Sequence, residues 1–124
     1  MQPLTGIRVI DLTQIYQGPY CSFLMAMAGA EVIKVEPLTG ERTRCYESSD
    51  VPPMNFAMLN SNKQSVTLNL KKTKGTEIVK QLVKDADVLI ENFAPGVMDR
   101  LGVGYQELKK INSKLIYASG TGYG

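Results

Sequence analysis

The chain has 124 residues, 44% hydrophobic, 21% charged and 7% aromatic, a composition that suits one globular domain rather than two. Fourteen basic against twelve acidic residues leave a net charge of +2, too little for the electrostatic footprint of a nucleic-acid binder. The lack of histidine excludes a Ser-His-Asp or Cys-His nucleophile system and any histidine-based metal site within these residues.

Residues 7–12 are rich in β-branched side chains and predict a first strand. Gly18-Pro19 then breaks the chain, and 20–28 predict a largely apolar helix ended by Gly29 at the position after its cap. Residues 31–36 predict a second strand, completing a βαβ unit whose strands run parallel. From 37 to 62 the pattern lapses into a long polar excursion, of a length that is often functional. An alternating strand is predicted over 65–70, then a helix over 76–84 with Thr73 as its cap and Ile78, Val79, Leu82 and Val83 along one stripe. Residues 88–90 predict a strand, 92–96 a tight turn, 97–101 and 105–111 short helices, and 115–118 a last, buried-looking strand. Alternating strands and helices predict an α/β fold: an open, mostly parallel sheet with helices on both faces. Residues 119–124 stop where such a domain ordinarily continues into a helix, so the chain reads as cut short.

The five N-terminal residues lack the basic start and apolar run of a signal peptide, and the apolar patch at 23–28 is too short to cross a bilayer. A cytoplasmic protein with no membrane contact is expected. Cys21 and Cys45 show neither CxxC nor zinc spacing, so no metal is expected, and Cys21, inside an apolar run, reads as a buried small residue.

Ligands of open α/β sheets bind beyond the carboxyl ends of the strands, which here are the segments 11–17, 36–44, 91–96 and 119–124. A dinucleotide would use Glu36 for a ribose hydroxyl, but the turn after the first strand has a single glycine, Gly18, and no GxGxxG. No GxxxxGK[ST] occurs either. Glu36 therefore reads first as a solvated or capping carboxylate. Asp11 could serve as a phosphoacceptor only with neighbouring acids and a lysine near the last strand. The segment 115–120 offers no lysine, so Asp11 reads as a strand-end residue bonded to a turn. Two readings stand for the more specific segments, 60–65 and 91–96 with Asp99-Arg100-Leu101-Gly102. Phe93 covers an adenine face while Arg100, Lys63 and Arg44 meet phosphates, or Phe93 is a core plug and Arg100 pairs with Asp99 or a helix end.

Five blocks occur in order: residues 4–13 with Gly18-Pro19, then 29–36, 60–65, 91–96 and 99–102. Together they make the chain resemble the N-terminal part of the family III CoA-transferases, the formyl-CoA transferase and carnitine CoA-transferase type, which includes α-methylacyl-CoA racemases. The resemblance spans 4–124. It implies a Rossmann-like portion that binds coenzyme A, as acyl-CoA substrate, at its strand ends. It also implies transfer of CoA to carboxylic acids through an aspartyl thioester. Carried over by position, the CoA contacts fall on Ile15, Tyr16, Gln17, Leu68, Asn92, Phe93, Arg100 and Leu101. Three departures remove expected polar partners: Pro37 replaces a basic residue, Gln64 an arginine and Asn69 an aspartate.

Family members are several-fold longer, their catalytic aspartate lies further downstream, and two chains interlock with a second domain closing the site. Asp11, Glu36 and Glu91 do not match the catalytic position, and residues 1–124 are expected to be a CoA-binding portion, inactive alone, that oligomerises or joins a C-terminal half. The alternatives are a non-catalytic interaction module that keeps the fold and the corresponding part of an acyl-CoA racemase.

Overall fold

The structure is a computed structural model that describes residues 1–44 and 53–123. Strands β1 (Arg8–Asp11), β2 (Glu31–Glu36), β3 (Gln64–Thr67), β4 (Val88–Glu91) and β5 (Ile116–Ser119) form one sheet in the order β3-β2-β1-β4-β5. Every neighbouring pair is parallel. The helices are α1 (Gln17–Met27), α2 (Met54–Asn60), α3 (Thr73–Lys84), α4 (Val97–Arg100) and α5 (Tyr105–Ile111), with a short 3₁₀ turn at Arg42–Arg44. The predicted α/β class and the open parallel sheet are therefore what the chain builds.

Side-chain alternation along the central strands divides the core in two. Val9, Val32, Val88 and Ile90 face α1 and pack with Ala26 and Ala30. Ile10, Val35 and Leu89 point the other way and meet Val79 and Val83 of α3, Met98 of α4 and Leu108 of α5. Strands buried on both faces read as continuous apolar runs, which is why 7–12, 31–36 and 88–90 were legible. Of the stripe on α3, Val79 and Val83 are fully buried, whereas Ile78 is 43% exposed.

Helix α1 turns an unusual face to the sheet. Its buried residues are Gly18, Pro19, Ser22 and Ala26, all compact, so the helix lies close to the strands. Its bulky residues point away: Tyr20, Leu24 and Met27 are each about half exposed. Gly29 takes φ +98° after the cap residue Ala28, as expected for a helix-ending glycine.

Several expectations need correction. Cys21 is exposed on α1 rather than buried, because the buried side of that helix is the small-residue side. Cys45 lies outside the described residues. The polar excursion contains α2, which buries none of its residues and so leaves no periodic signature. Strand β3 ends at Thr67 rather than at residue 70, since Asn69 accepts the Lys71 N–H in a turn. Thr73 is the first residue of α3, and Lys72 precedes it in extended conformation with no side-chain cap bond. Strand β5 is a sheet edge, and Ile116 is 63% exposed, contrary to its buried-looking sequence.

Candidate functional site

All strands run parallel, so their carboxyl ends gather on one edge of the sheet, and the order 3-2-1-4-5 places the reversal of direction between β1 and β4. The loop from Thr13 to Tyr16 leaves β1 there. Gly18 lets α1 start at once, since a Cβ at that position would stand 2.2 Å from the Thr13 side chain. Ile15 takes φ +71°, a left-handed conformation that a β-branched residue rarely adopts.

Beneath this loop lies a buried charge network. Asp11, fully buried, accepts the Thr13 N–H at 2.8 Å and the Ser22 hydroxyl at 2.6 Å. Lys63 Nζ lies 3.1 Å from the same carboxylate, and Lys34 Nζ 3.8 Å from it. Burial on its own would raise the Asp11 carboxyl, but the two lysines with Ser22 and Thr13 hold it below its ordinary range. Burial pushes the Lys63 ammonium down. Lys63 also reaches Pro19 O, Ser22 Oγ and Asn60 Oδ1 at 2.8–2.9 Å, so its donors are committed to the protein. The phosphate-binding reading of Lys63 is therefore not supported by its surroundings. Asp11 is the turn-bonded strand-end residue that was expected.

Glu36 at the end of β2 is only 2% exposed, so it is a buried carboxylate and not a solvated one. It accepts Arg44 Nε at 2.6 Å, Arg44 Nη2 at 2.8 Å, the Ser65 hydroxyl at 2.6 Å and the Glu41 N–H at 2.8 Å. Burial favours its neutral form, yet these donors overcome that and bring it down to about 2. Arg44 also stacks on the Phe56 ring at 3.7 Å, so this guanidinium too is engaged by the protein. Neither Glu36 nor Arg44 stands ready for a ribose or a phosphate.

At the end of β4, Glu91 is buried, accepts the Phe93 N–H at 2.8 Å and lies 3.4 Å from the Tyr117 hydroxyl. Burial and the Glu91 charge push the Tyr117 phenol up. Asn92 ties this loop to the first one: its amide accepts the Gln14 N–H and donates to the Gln14 carbonyl, each at 2.8 Å. Phe93 is partly buried against the core and yet lines both clefts of this edge, so the core and ligand readings of its ring are compatible.

The first cleft has a volume of about 430 Å³ and is lined mainly by apolar residues, among them Val35, Leu38, Leu68, Phe93, Val97 and Leu101. Gln14, Asn69 and Lys71 add polar groups at its wall. A second cleft of about 420 Å³ lies beside it, lined by Gln17, Asn92, Phe93 and the segment 120–123. The expected site residues thus divide. Leu68, Phe93 and Leu101 share the first cleft, and Gln17, Asn92 and Phe93 the second. Ile15, Tyr16 and Arg100 line neither. Tyr16 is half exposed and its hydroxyl accepts the Asn55 amide at 3.0 Å. Arg100 is exposed and folds toward the 94–97 turn, with Nη1 3.1 Å from where a Gly96 Cβ would sit. Its guanidinium bonds no described side chain, so of the readings left open for it the pairing with Asp99 is not made, whereas its place in the last turn of α4 fits the helix-end one. Lys71, exposed at the first cleft, was missed because the predicted strand ran through residue 70 and placed this lysine at its margin instead of in the loop after Thr67.

Comparison with known proteins decides the family. The model of CoA-transferase family III matches residues 4–124. The chain belongs to that family. Among curated relatives, formyl-CoA:oxalate CoA-transferase of Afipia carboxidovorans is 50% identical over 125 residues, covering 98% of this chain and 29% of that protein. An acyl-CoA transferase of Fusarium pseudograminearum is 46% identical over 132 residues with the same coverage. The solved structure of the hypothetical protein Rv3272 from Mycobacterium tuberculosis superposes with a TM-score of 0.94 at 40% identity, covering all of this chain and 35% of that one. A CAIB/BAIF family protein from Brucella suis gives 0.91 at 40% identity, over 95% of this chain and 33% of that one. The chain spans about three tenths of the length of the curated relatives it matches. No helix among the described residues is long and apolar enough to cross a membrane, and those residues hold no cluster of three or more metal-ligating side chains.

Proposed function

We propose that residues 1–124 form the coenzyme A-binding portion of an acyl-CoA:carboxylate CoA-transferase, with the thioester-forming aspartate and the second domain supplied outside them. The observation that carries this reading is the convergence of Leu68, Phe93 and Leu101 on one apolar cleft at the strand ends, with Lys71 among the residues of its wall. A cleft of about 430 Å³ falls in the range of small-molecule sites, roughly 300–1,000 Å³. A cationic side chain beside an apolar cleft suits a ligand that joins a flat base to phosphates. Lys71 and Arg100 are the basic groups we assign to those phosphates, in place of Lys63, whose ammonium is buried among protein acceptors, and Arg44, whose Nε and Nη2 bind Glu36.

In the reaction proposed for the whole enzyme, a carboxylate attacks the acyl-CoA thioester, releasing CoA thiolate and leaving a mixed anhydride. The thiolate then attacks the enzyme carbonyl, frees the acid and leaves an aspartyl-CoA thioester. Residues 1–124 contribute by holding the CoA moiety, which turns the second attack into an intramolecular step. Neither Asp11, Glu36 nor Glu91 is assigned the nucleophile's part, since each is buried and hydrogen-bonded within the chain. The racemase alternative shares this portion. The outward face of α1 supports a further proposal, that the chain is covered there by a second copy or by the rest of a longer protein.

Calorimetric titration with coenzyme A, with NAD as the control, tests the binding claim. Saturable binding of CoA and none of NAD is the expected result; binding of neither would overturn the reading for residues 1–124 as a unit. Lys71→Ala is expected to weaken CoA binding about tenfold, the loss of one charge-assisted contact.

A further inference from the structure

Three consecutive backbone N–H groups after β1 are held by side chains drawn from three parts of the chain. Thr13 donates to Asp11 Oδ1 at 2.8 Å, Gln14 to Asn92 Oδ1 at 2.8 Å, and Ile15 to Glu41 Oε1 at 2.8 Å. The Thr13 carbonyl accepts Lys34 Nζ at 2.8 Å, and that of Gln14 accepts the Asn92 amide. The N–H groups of Thr13, Gln14 and Ile15 thus go to side chains rather than to a strand or helix, and these side chains set the shape of the loop up to Tyr16, whose carbonyl accepts the Tyr20 N–H of α1.

Glu41 holds the most demanding position. Ile15, which it binds, sits at φ +71°. Glu41 is 1% exposed, and its second carboxylate oxygen accepts the Thr43 N–H at 3.0 Å and the Thr43 hydroxyl. Its own N–H donates to Glu36 Oε2 at 2.8 Å, anchoring the residue to the end of β2. The carboxylate is therefore aimed at Ile15 from a rigid base. An anionic acceptor binds an N–H about twice as strongly as a neutral one, which suits it to offset backbone strain.

We propose that Glu41 is a positioning residue: its carboxylate holds Ile15 in the left-handed conformation, and so fixes the start of α1, where Gln17 lines the second cleft beside the proposed coenzyme A site. The consequence for CoA rests on the function proposed above, whereas the hold on the loop does not.

The test compares the wild-type chain with Glu41→Gln, which keeps the shape of the side chain and loses its charge, in the native and in an Ile15→Gly background. Amide hydrogen exchange by NMR and CoA titration by calorimetry are the readouts. Glu41→Gln is expected to speed exchange at Ile15 about tenfold while leaving the amides of α3 and β4 unchanged, and to weaken CoA about tenfold. In the Ile15→Gly background the same change is expected to cost less than about threefold, because glycine adopts φ > 0 without strain. Unchanged exchange at Ile15 would overturn the proposal, as would acceleration spread evenly over the core, or an equal loss in both backgrounds. A wild-type chain that ignores CoA sinks the reading of the site, and the exchange pattern then upholds or overturns the hold of Glu41 by itself. Should Glu41→Gln not fold, Thr43→Val removes the hydroxyl that aims Glu41 and is expected to give the same local pattern at smaller amplitude; unchanged Ile15 exchange there overturns the proposal.

Discussion

Lys63 and Asp11 each depend on the other for burial. Replacing Lys63 by Met removes the nearer of the two lysines from the Asp11 carboxylate, leaving Lys34 3.8 Å away beside the Thr13 and Ser22 donors, and takes a donor from Ser22 and Asn60. Urea denaturation is expected to show a loss of about 3–5 kcal/mol, the usual result of breaking a buried pair from one side. A loss under about 1 kcal/mol would show instead that the network is paid for elsewhere. Glu36 provides a pH-dependent companion. Its folded value of about 2 lies below the ordinary 4.5, so its contribution is complete above the ordinary value and fades as pH falls toward the folded one. The stability gap between wild type and Arg44→Gln is accordingly expected to be full near neutral pH and to shrink between about pH 4.5 and 2 in thermal melts. Neither role could be read from the sequence. Glu36 meets Arg44 eight residues on and Ser65 twenty-nine residues on, and only the pairing of β2 with β3 brings the serine there. At this scale the sequence does place Phe93, because strand ends mark the ligand edge of such a sheet whatever fills it, whereas Leu68 lies inside the predicted strand 65–70 and is singled out only by the family resemblance.

Among the elements, the strands announced themselves through β-branched runs, and the helices did so only where one face was apolar. Helix α3 alternates polar and apolar faces and was found nearly whole. Helix α1 is apolar on every side, so its pattern revealed a helix but not the side that meets the sheet, and Cys21 was put on the wrong one. Helix α2 has no buried residue and no side-chain cap, which leaves no signal to find. The close seating of α1 is testable. Gly18→Ala would set a Cβ 2.2 Å from Thr13, forcing either the loop or the first turn of α1 to move. A loss of about 1–3 kcal/mol is expected from thermal or urea melts, together with weaker CoA binding through the displaced Gln17. Gly18→Ala with wild-type stability would mean that the helix start is free to shift.

Taken whole, the molecule has a finished sheet core and an unfinished outside. Tyr20, Leu24 and Met27 of α1 stand exposed beside Met54 and Met58 of α2, and Ile116 is bare on the edge strand. Concentration-dependent self-association is expected in sedimentation velocity, and Leu24→Glu is expected to shift it toward monomer; a wild-type chain that stays monomeric at high concentration would argue that this face waits for other protein. The strand order also fixes a timetable. Strand β1 meets β2 across 23 residues of chain, as between Arg8 and Glu31, but meets the β4 side across 79, as between Arg8 and Asp87. Closing the shorter loop costs less entropy, so β1, α1 and β2 are expected to assemble before β1 pairs with β4. Stopped-flow refolding should register that sequence: Val32→Ala is expected to slow folding, and Leu89→Ala chiefly to speed unfolding. That outcome would make the central strand a template, paired first on its β2 side and only later on its β4 side.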